Sequence, residues 1–207
     1  MYKEKERYDY KMKKNKLLLL SLVSSGIVIL YEFFKWKLAE VTSVFLILPV
    51  MIGVFGLFLV ITVIALVALF KKKKWIPLVI QAATVILLVT VPFNKITLDI
   101  DFKWNKQGRE KVVEMVKNGD LKLNEDYNPG FVSLPKGYKN LSSGNYIAIE
   151  KTNSGYRILF YMYSGVLDNF SGFLYTTEKQ GPSKDALMGD IKEIDKLDKN
   201  WYFVASY

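Results

Sequence analysis

Polar and apolar positions divide this chain sharply near Phe93. From Leu17 to Phe93 nearly every residue is apolar, and the few charges sit in two short clusters. From Asn94 onward polar and apolar residues are mixed as in an ordinary globular domain. A helix needs about 20 predominantly apolar residues to cross a bilayer. Three segments meet that requirement, 17–34, 44–70 and 75–93, and none alternates with period two as a strand would. A rival reading makes residues 1–26 a cleaved signal peptide ending at Ser24-Ser25-Gly26, but the apolar run continues through Ile27 to Leu30.

The polar residues inside these segments read as packing devices. Gln81, Thr84 and Thr90 can bond across helices, while Ser21, Ser25, Gly53 and Gly56 offer small faces for close approach. Pro49 is expected to kink the second span near its end. Glu32 lies among Tyr31, Phe33, Phe34 and Trp36, an interfacial aromatic belt, and reads as a wetted carboxylate at a helix end.

Past Phe93 the periodicity changes. Ile96, Leu98, Ile100, Phe102 and Trp104 alternate with Thr97, Asp99, Asp101 and Lys103, which predicts a half-buried strand. Val112, Val113, Met115 and Val116 then fall at helical spacing within 107–118, with Gly119 in the stop position. Residues 120–141 are rich in Asn, Pro, Gly and Lys and predict a long loop with short strands at 121–123 and 131–134. The remainder predicts a β-meander. Its strands are 146–151, 156–163, 172–177, 190–197 and 201–207, with a turn at Thr152-Asn153-Ser154-Gly155. One helix and a set of antiparallel strands predict an α+β domain, the helix packed on one face of a curved sheet. The fold class is therefore membrane α with three transmembrane helices, followed by a C-terminal α+β domain over 94–207. A single buried sheet face is expected to absorb most of its aromatic residues.

Charge changes the picture more than composition does. The net charge is +9, yet residues 1–16 carry +4, the run Lys71-Lys72-Lys73-Lys74 carries +4, and residues 94–207 carry only +1. A near-neutral domain lacks the basic face that phosphate needs, so no nucleic acid is expected as a partner. Lys/Arg flanks mark the cytoplasmic side of a span. Lys13, Lys14 and Lys16 precede the first span, and Lys71, Lys72, Lys73 and Lys74 separate the second from the third. Both signals place the basic tail 1–16 in the cytoplasm and domain 94–207 outside. The same lysines can also hold anionic lipid.

The chain has no Cys and no His. Disulfides, thiolate nucleophiles and Ser-His-Asp chemistry are excluded, and the commonest metal ligand is missing. No cofactor and no metal are expected. Asp99 and Asp101 read as solvated carboxylates, and 120–126 lacks the Gly and terminal Glu of a calcium loop. Asn140-Leu141-Ser142 and Asn169-Phe170-Ser171 match the glycosylation acceptor pattern. That pattern carries no meaning in a low-GC Gram-positive bacterium, whose Lys/Ile/Asn/Tyr-rich composition this chain resembles.

Candidate binding residues come from the loop 165–172, where Asp168 and Asn169 lie between two glycines and two strong strands. Tyr161, Tyr163 and Tyr175, with Tyr202, are candidates to line a groove. The leading expectation is a bacterial plasma-membrane protein, not an enzyme. Its outer domain would bind a protein, peptide or envelope partner in an accessory, sensor or immunity-like role. The alternatives are a subunit of an oligomeric transporter or channel, with this chain as a homo-oligomer, and a carboxylate-based hydrolase. The last requires two acids converging within about 5–10 Å.

Overall fold

The computed structural model describes residues 2–41, 44–121, 130–152, 155–165, 169–184 and 190–206. The chain divides into two compact units, Met1–Thr97 and Leu98–Tyr207.

The first unit holds α1 (Tyr2–Val41), α2 (Val44–Lys72), α3 (Ile76–Thr90) and the start of α4 (Phe93–Asn118). Two stretches, Lys16–Ala39 and Leu46–Lys71, are long and apolar enough to cross a membrane. The expected third span is interrupted. Helix α3 has 15 residues, about 22 Å at 1.5 Å per residue, against a hydrocarbon core of about 30 Å. It makes a third crossing only if counted together with α4, from which a bend of 62° separates it. The cause is local. Pro92 disfavours helix for the residue before it, and Val91 is extended at φ −87°, ψ 121°.

Gln81 joins three helices. Its amide donates to Ser24 Oγ at 3.0 Å and to the Ser21 carbonyl at 3.3 Å on α1, while Thr62 of α2 donates to its oxygen at 3.0 Å. Thr84 donates to Ser25 Oγ at 2.8 Å. These residues glue the helices as their polarity suggests. Thr90 does not: its hydroxyl turns back to the Ile86 carbonyl of its own helix. Gly53 and Gly56 face open space, where an added Cβ would meet nothing within 4 Å, so they provide no close packing. Pro49 sits inside an uninterrupted α2.

In the second unit the expected strand at 96–104 is helix. Helix α4 runs unbroken through it, and the residues it buries are Phe102, Arg109, Val112, Val113 and Val116. That set keeps helical spacing. Ile100 and Trp104, which share the alternating face with Phe102, are 56% and 84% exposed. Helix α4 ends at Gly119, φ +77°, whose N–H donates to the Val116 carbonyl while that of Asp120 donates to Met115. This is the paired closure that a left-handed glycine permits at a helix end.

Six strands follow: β1 (Phe131–Ser133), β2 (Tyr146–Thr152), β3 (Gly155–Ser164), β4 (Phe170–Thr176), β5 (Glu193–Asp198) and β6 (Trp201–Ser206). They form one antiparallel sheet in the order β1-β2-β3-β4-β6-β5. The meander holds through β4. Then β6 inserts between β4 and β5, leaving charged β5 at the edge. Of the strand expected at 121–123, Leu121 sits in a bend, and the other two positions lie outside the described residues, as do Asn153 and Ser154 of the expected turn.

Both faces of this sheet are apolar, where one was expected. On the first, α4 covers Ile147, Ile149, Ile158, Phe160, Phe173, Trp201 and Phe203. On the second, Ala148, Leu159, Tyr161, Phe170, Leu174, Ile191 and Val204 cluster. Every residue of β4 is buried. The continuous apolar run 158–163 records this, because a strand covered on both faces loses its polar alternation.

Candidate functional site

The second sheet face carries the most distinctive surface of the Leu98–Tyr207 unit. The segment after β4 covers part of it. Gly181 lies against the Tyr202 ring, where an added Cβ would fall 3.0 Å from Oη, and Ile191 is fully buried. Toward β1 four rings form a ladder. Phe170 packs edge-on to Tyr161 with centroids 5.9 Å apart, Tyr161 lies 5.2 Å from Tyr146, and Tyr146 lies 5.5 Å from Phe131. Phe131 also stacks parallel to Tyr161 at 6.4 Å. The ladder runs from buried Phe170 and Tyr161 to Phe131, which is 37% exposed on an edge strand of only three residues.

Local structure holds the ladder in place. The Ser142 hydroxyl donates to the Tyr146 carbonyl and accepts the Tyr161 N–H at 2.8 Å, so one side chain ties the strands bearing both tyrosines. Tyr161 lies at the start of a register shift in β3, and its partner in β4 is Gly172. A side chain at Gly172 is excluded: its Cβ would approach the Phe160 carbonyl oxygen at 2.2 Å. Burial, with Tyr146 nearby as a second cause, raises the Tyr161 pKa well above the ordinary phenol value of 10.0. Tyr161 therefore serves as a neutral, amphipathic ring.

The expected site residues are divided by the fold. Tyr161 is in the ladder. Asn169 is exposed, adjoins Phe170 and closes the β3–β4 hairpin, its carbonyl accepting the Gly165 N–H at 2.7 Å. Tyr163 packs its ring against Gly165 in the same hairpin. Asp168 lies outside the described residues. Tyr175 is on the opposite face, under α4, where Lys117 donates to its hydroxyl at 2.8 Å and Trp201 packs at 5.3 Å. The four tyrosines do not line one groove. Phe131, Tyr146 and Phe170 were missed, and their signal was present: each is the aromatic residue at the start of a strand.

Several charged groups of this unit pair with one another. Arg109 bonds Asp101 at 2.6 Å, so Asp101 is paired and not simply solvated. Lys106 bonds Asp198, whose pKa falls below its ordinary value because of that bond and the Lys199 N–H. Glu150 and Glu178 converge, as a carboxylate hydrolase would require, but on Arg157, at 3.0 and 2.8 Å. Among the described residues no group of three or more His, Cys, Asp or Glu side chains is placed to hold a metal ion.

Of the expected topology lysines, Lys13 and Lys14 fall within α1, their side chains outside the described residues, and Lys16, Lys71 and Lys74 converge on one groove of the first unit. No protein-family description, curated protein or solved structure matches the chain.

Proposed function

We propose that this is a multi-pass plasma-membrane protein of a bacterium whose 94–207 domain lies outside the cell and binds a protein, peptide or envelope component, in an accessory, sensor or immunity-like role. The observation that carries the binding reading is the ring ladder ending at exposed Phe131. Rigid aromatic residues on a supported sheet give a large contact area at little entropic cost, and they dominate protein interfaces. The basic flanks at Lys16 and Lys71–Lys74 support the orientation. Transport by the chain is less well supported, because the buried amide and hydroxyl groups joining its helices bond one another.

Two experiments test it. The chain has no Cys, so single cysteines introduced at Lys73 and Lys111 report orientation cleanly. A membrane-impermeant maleimide should label Lys111→Cys in intact cells and Lys73→Cys only after lysis; the reverse pattern refutes the topology. For binding, a photo-crosslinking residue at Phe131 or Tyr146 should give a reproducible adduct in cells that the same residue at Lys111 does not. No adduct from either ladder position, or the same adducts from all three, refutes the binding face.

A further inference from the structure

Helix α4 buries one face and leaves the opposite one open. Phe102, Arg109, Val112, Val113 and Val116 form the buried face. Ile96, Ile100, Lys103, Trp104 and Gln107 are spaced i, i+4, i+7, i+8 and i+11, which puts them on one stripe away from it. Ile100 and Trp104 are 56% and 84% exposed, and Lys103 and Gln107 are exposed beside them. Among the described residues from Leu98 onward, the only other large apolar side chain that is exposed is Phe131. A helix face turned to water carries polar residues at such positions. An isoleucine and a tryptophan one turn apart, with a lysine beside them, match the membrane–water boundary instead.

The start of α4 is tied to the helical unit. Phe93 packs edge-on to Phe33 of α1 with ring centroids 5.0 Å apart, and the Trp36 indole donates to Asn94 Oδ1 at 3.3 Å. In a third crossing, the 15 residues of α3 fall about 8 Å short of a hydrocarbon core of roughly 30 Å. Extended Val91 and Pro92 supply part of the difference, and α4 supplies the rest. With α3 along the bilayer normal, the 62° bend reduces the advance of α4 to about 0.7 Å per residue. A remainder of about 5–8 Å then takes roughly 7–11 residues, which from Phe93 is the interval Ile100 to Trp104. The exposed pair falls where hydrocarbon gives way to headgroups, the level at which tryptophan is enriched.

We propose that Ile100 and Trp104 dock α4 on the lipid surface, with the indole at headgroup level, the isoleucine against the outermost acyl carbons and Lys103 reaching toward phosphate. The sheet covers the other face of α4, and a sheet domain of mixed polarity stays out of the bilayer, so the stripe opposite it is the one turned to lipid. The bend is what permits this. A straight continuation of α3 would carry Trp104 roughly 13 Å above the hydrocarbon core, clear of a headgroup layer about 5–7 Å deep. The inference rests on the membrane placement in the proposed function and not on the ligand of the sheet domain.

The test uses the full chain in bilayer nanodiscs with Trp36→Phe, Trp75→Phe and Trp201→Phe, which leaves Trp104 as the sole tryptophan. Phospholipids brominated near the headgroup end of the acyl chain should quench its emission more than those brominated near the terminal methyl. Aqueous iodide should quench it less than it quenches Lys111→Trp on a Trp104→Phe background, two turns further along the same stripe. Ile100→Asp should shift the Trp104 emission to the red and remove its protection from iodide. As a check that keeps Trp201, a nitroxide on Ile100→Cys in an otherwise wild-type chain should collide more with oxygen than with an aqueous nickel chelate, and one on Lys111→Cys should do the reverse. Iodide quenching of Trp104 equal to that of Lys111→Trp, or unchanged emission in Ile100→Asp, overturns the docking. Protection from iodide without quenching by brominated lipid also overturns it, because protein would then cover the pair. A chain recovered outside the membrane fraction, or reversed maleimide labelling at Lys73→Cys and Lys111→Cys, would overturn the proposed function instead.

Discussion

Consider Arg109→Ala. The guanidinium is 3% exposed, and burial pulls its pKa down against the opposing pull of Asp101. It donates to Asp101 Oδ2 at 2.6 Å, to the Asp101 carbonyl at 3.3 Å and to the Leu141 carbonyl at 3.2 Å, and it lies 4.2 Å from the Phe173 ring centroid. It therefore links one turn of α4 to another, to the 3-10 turn Lys139–Leu141 and to the sheet. Truncation leaves the Leu141 carbonyl without this donor, worth about 1–3 kcal/mol, and removes a cation–π contact worth roughly 1–2 kcal/mol. It also empties the volume of the stem. The Asp101 pairing adds less, because its carboxylate is one-third exposed and rehydrates. The total is about 3–5 kcal/mol, the range for breaking a buried ion pair. Arg109→Met loses the same donor and cation–π contact but keeps the stem packing, so it should cost less than alanine. The assay is denaturant unfolding of the full chain in detergent, followed by Trp201 fluorescence with Trp36, Trp75 and Trp104 replaced by Phe. Trp201 is buried against Phe102, Phe160 and Tyr175 and reports the core of the second unit. Stability should fall in the order wild type, Met, Ala. An alanine variant within about 1 kcal/mol of wild type, or a methionine variant below it, refutes the account.

Three other outcomes follow from the structure. Gly172→Ala forces a Cβ to 2.2 Å from a backbone oxygen at the centre of the sheet; it should cost about 3 kcal/mol or more and show as rapid proteolysis of the second unit at a temperature where the wild type resists. Gln81→Leu leaves Thr62 its own bond to the Phe58 carbonyl but severs both ties to α1, so unfolding of the helical unit by sodium dodecyl sulfate should shift by about 1 kcal/mol. Tyr161 has a folded-state pKa raised above its unfolded value of 10.0, so its contribution is fully present below pH 10 and is lost as pH rises further; melting temperatures between pH 9 and 12 should fall less steeply in Tyr161→Phe, and parallel curves refute the burial of that phenol.

Much of the architecture was legible along the chain. Two apolar stretches of membrane-spanning length, the helix ending at Gly119, five strands near their expected bounds and the helix-on-sheet arrangement all rest on local periodicity, and local periodicity is a property of sequence. The segment 96–104 shows where it fails. Leu98 and Phe102 satisfy period two and period 3.6 alike, and only the unbroken helix through 118 decides which residues are buried. Residues 75–93 differ in another way: composition admits a span, but α3 ends at Thr90 before Pro92, and a third crossing is counted only together with α4.

The candidate site was legible only in part, because a strand face is assigned by register. Tyr161 and Tyr175 are both strand tyrosines, yet the pairing of Ile158 with Tyr175 and of Tyr161 with Gly172 puts them on opposite sides of one sheet. A one-residue slip of β3 against β4 would bring both to one face. The insertion of β6 between β4 and β5 and the gathering of Phe131, Tyr146, Tyr161 and Phe170 depend on pairings and bends between residues distant in sequence. The sequence by itself determined where the apolar stretches lie and where the charge clusters fall. Only the tertiary structure decided which residues meet across those surfaces, because pairing is settled by competition among all strands and helices at once.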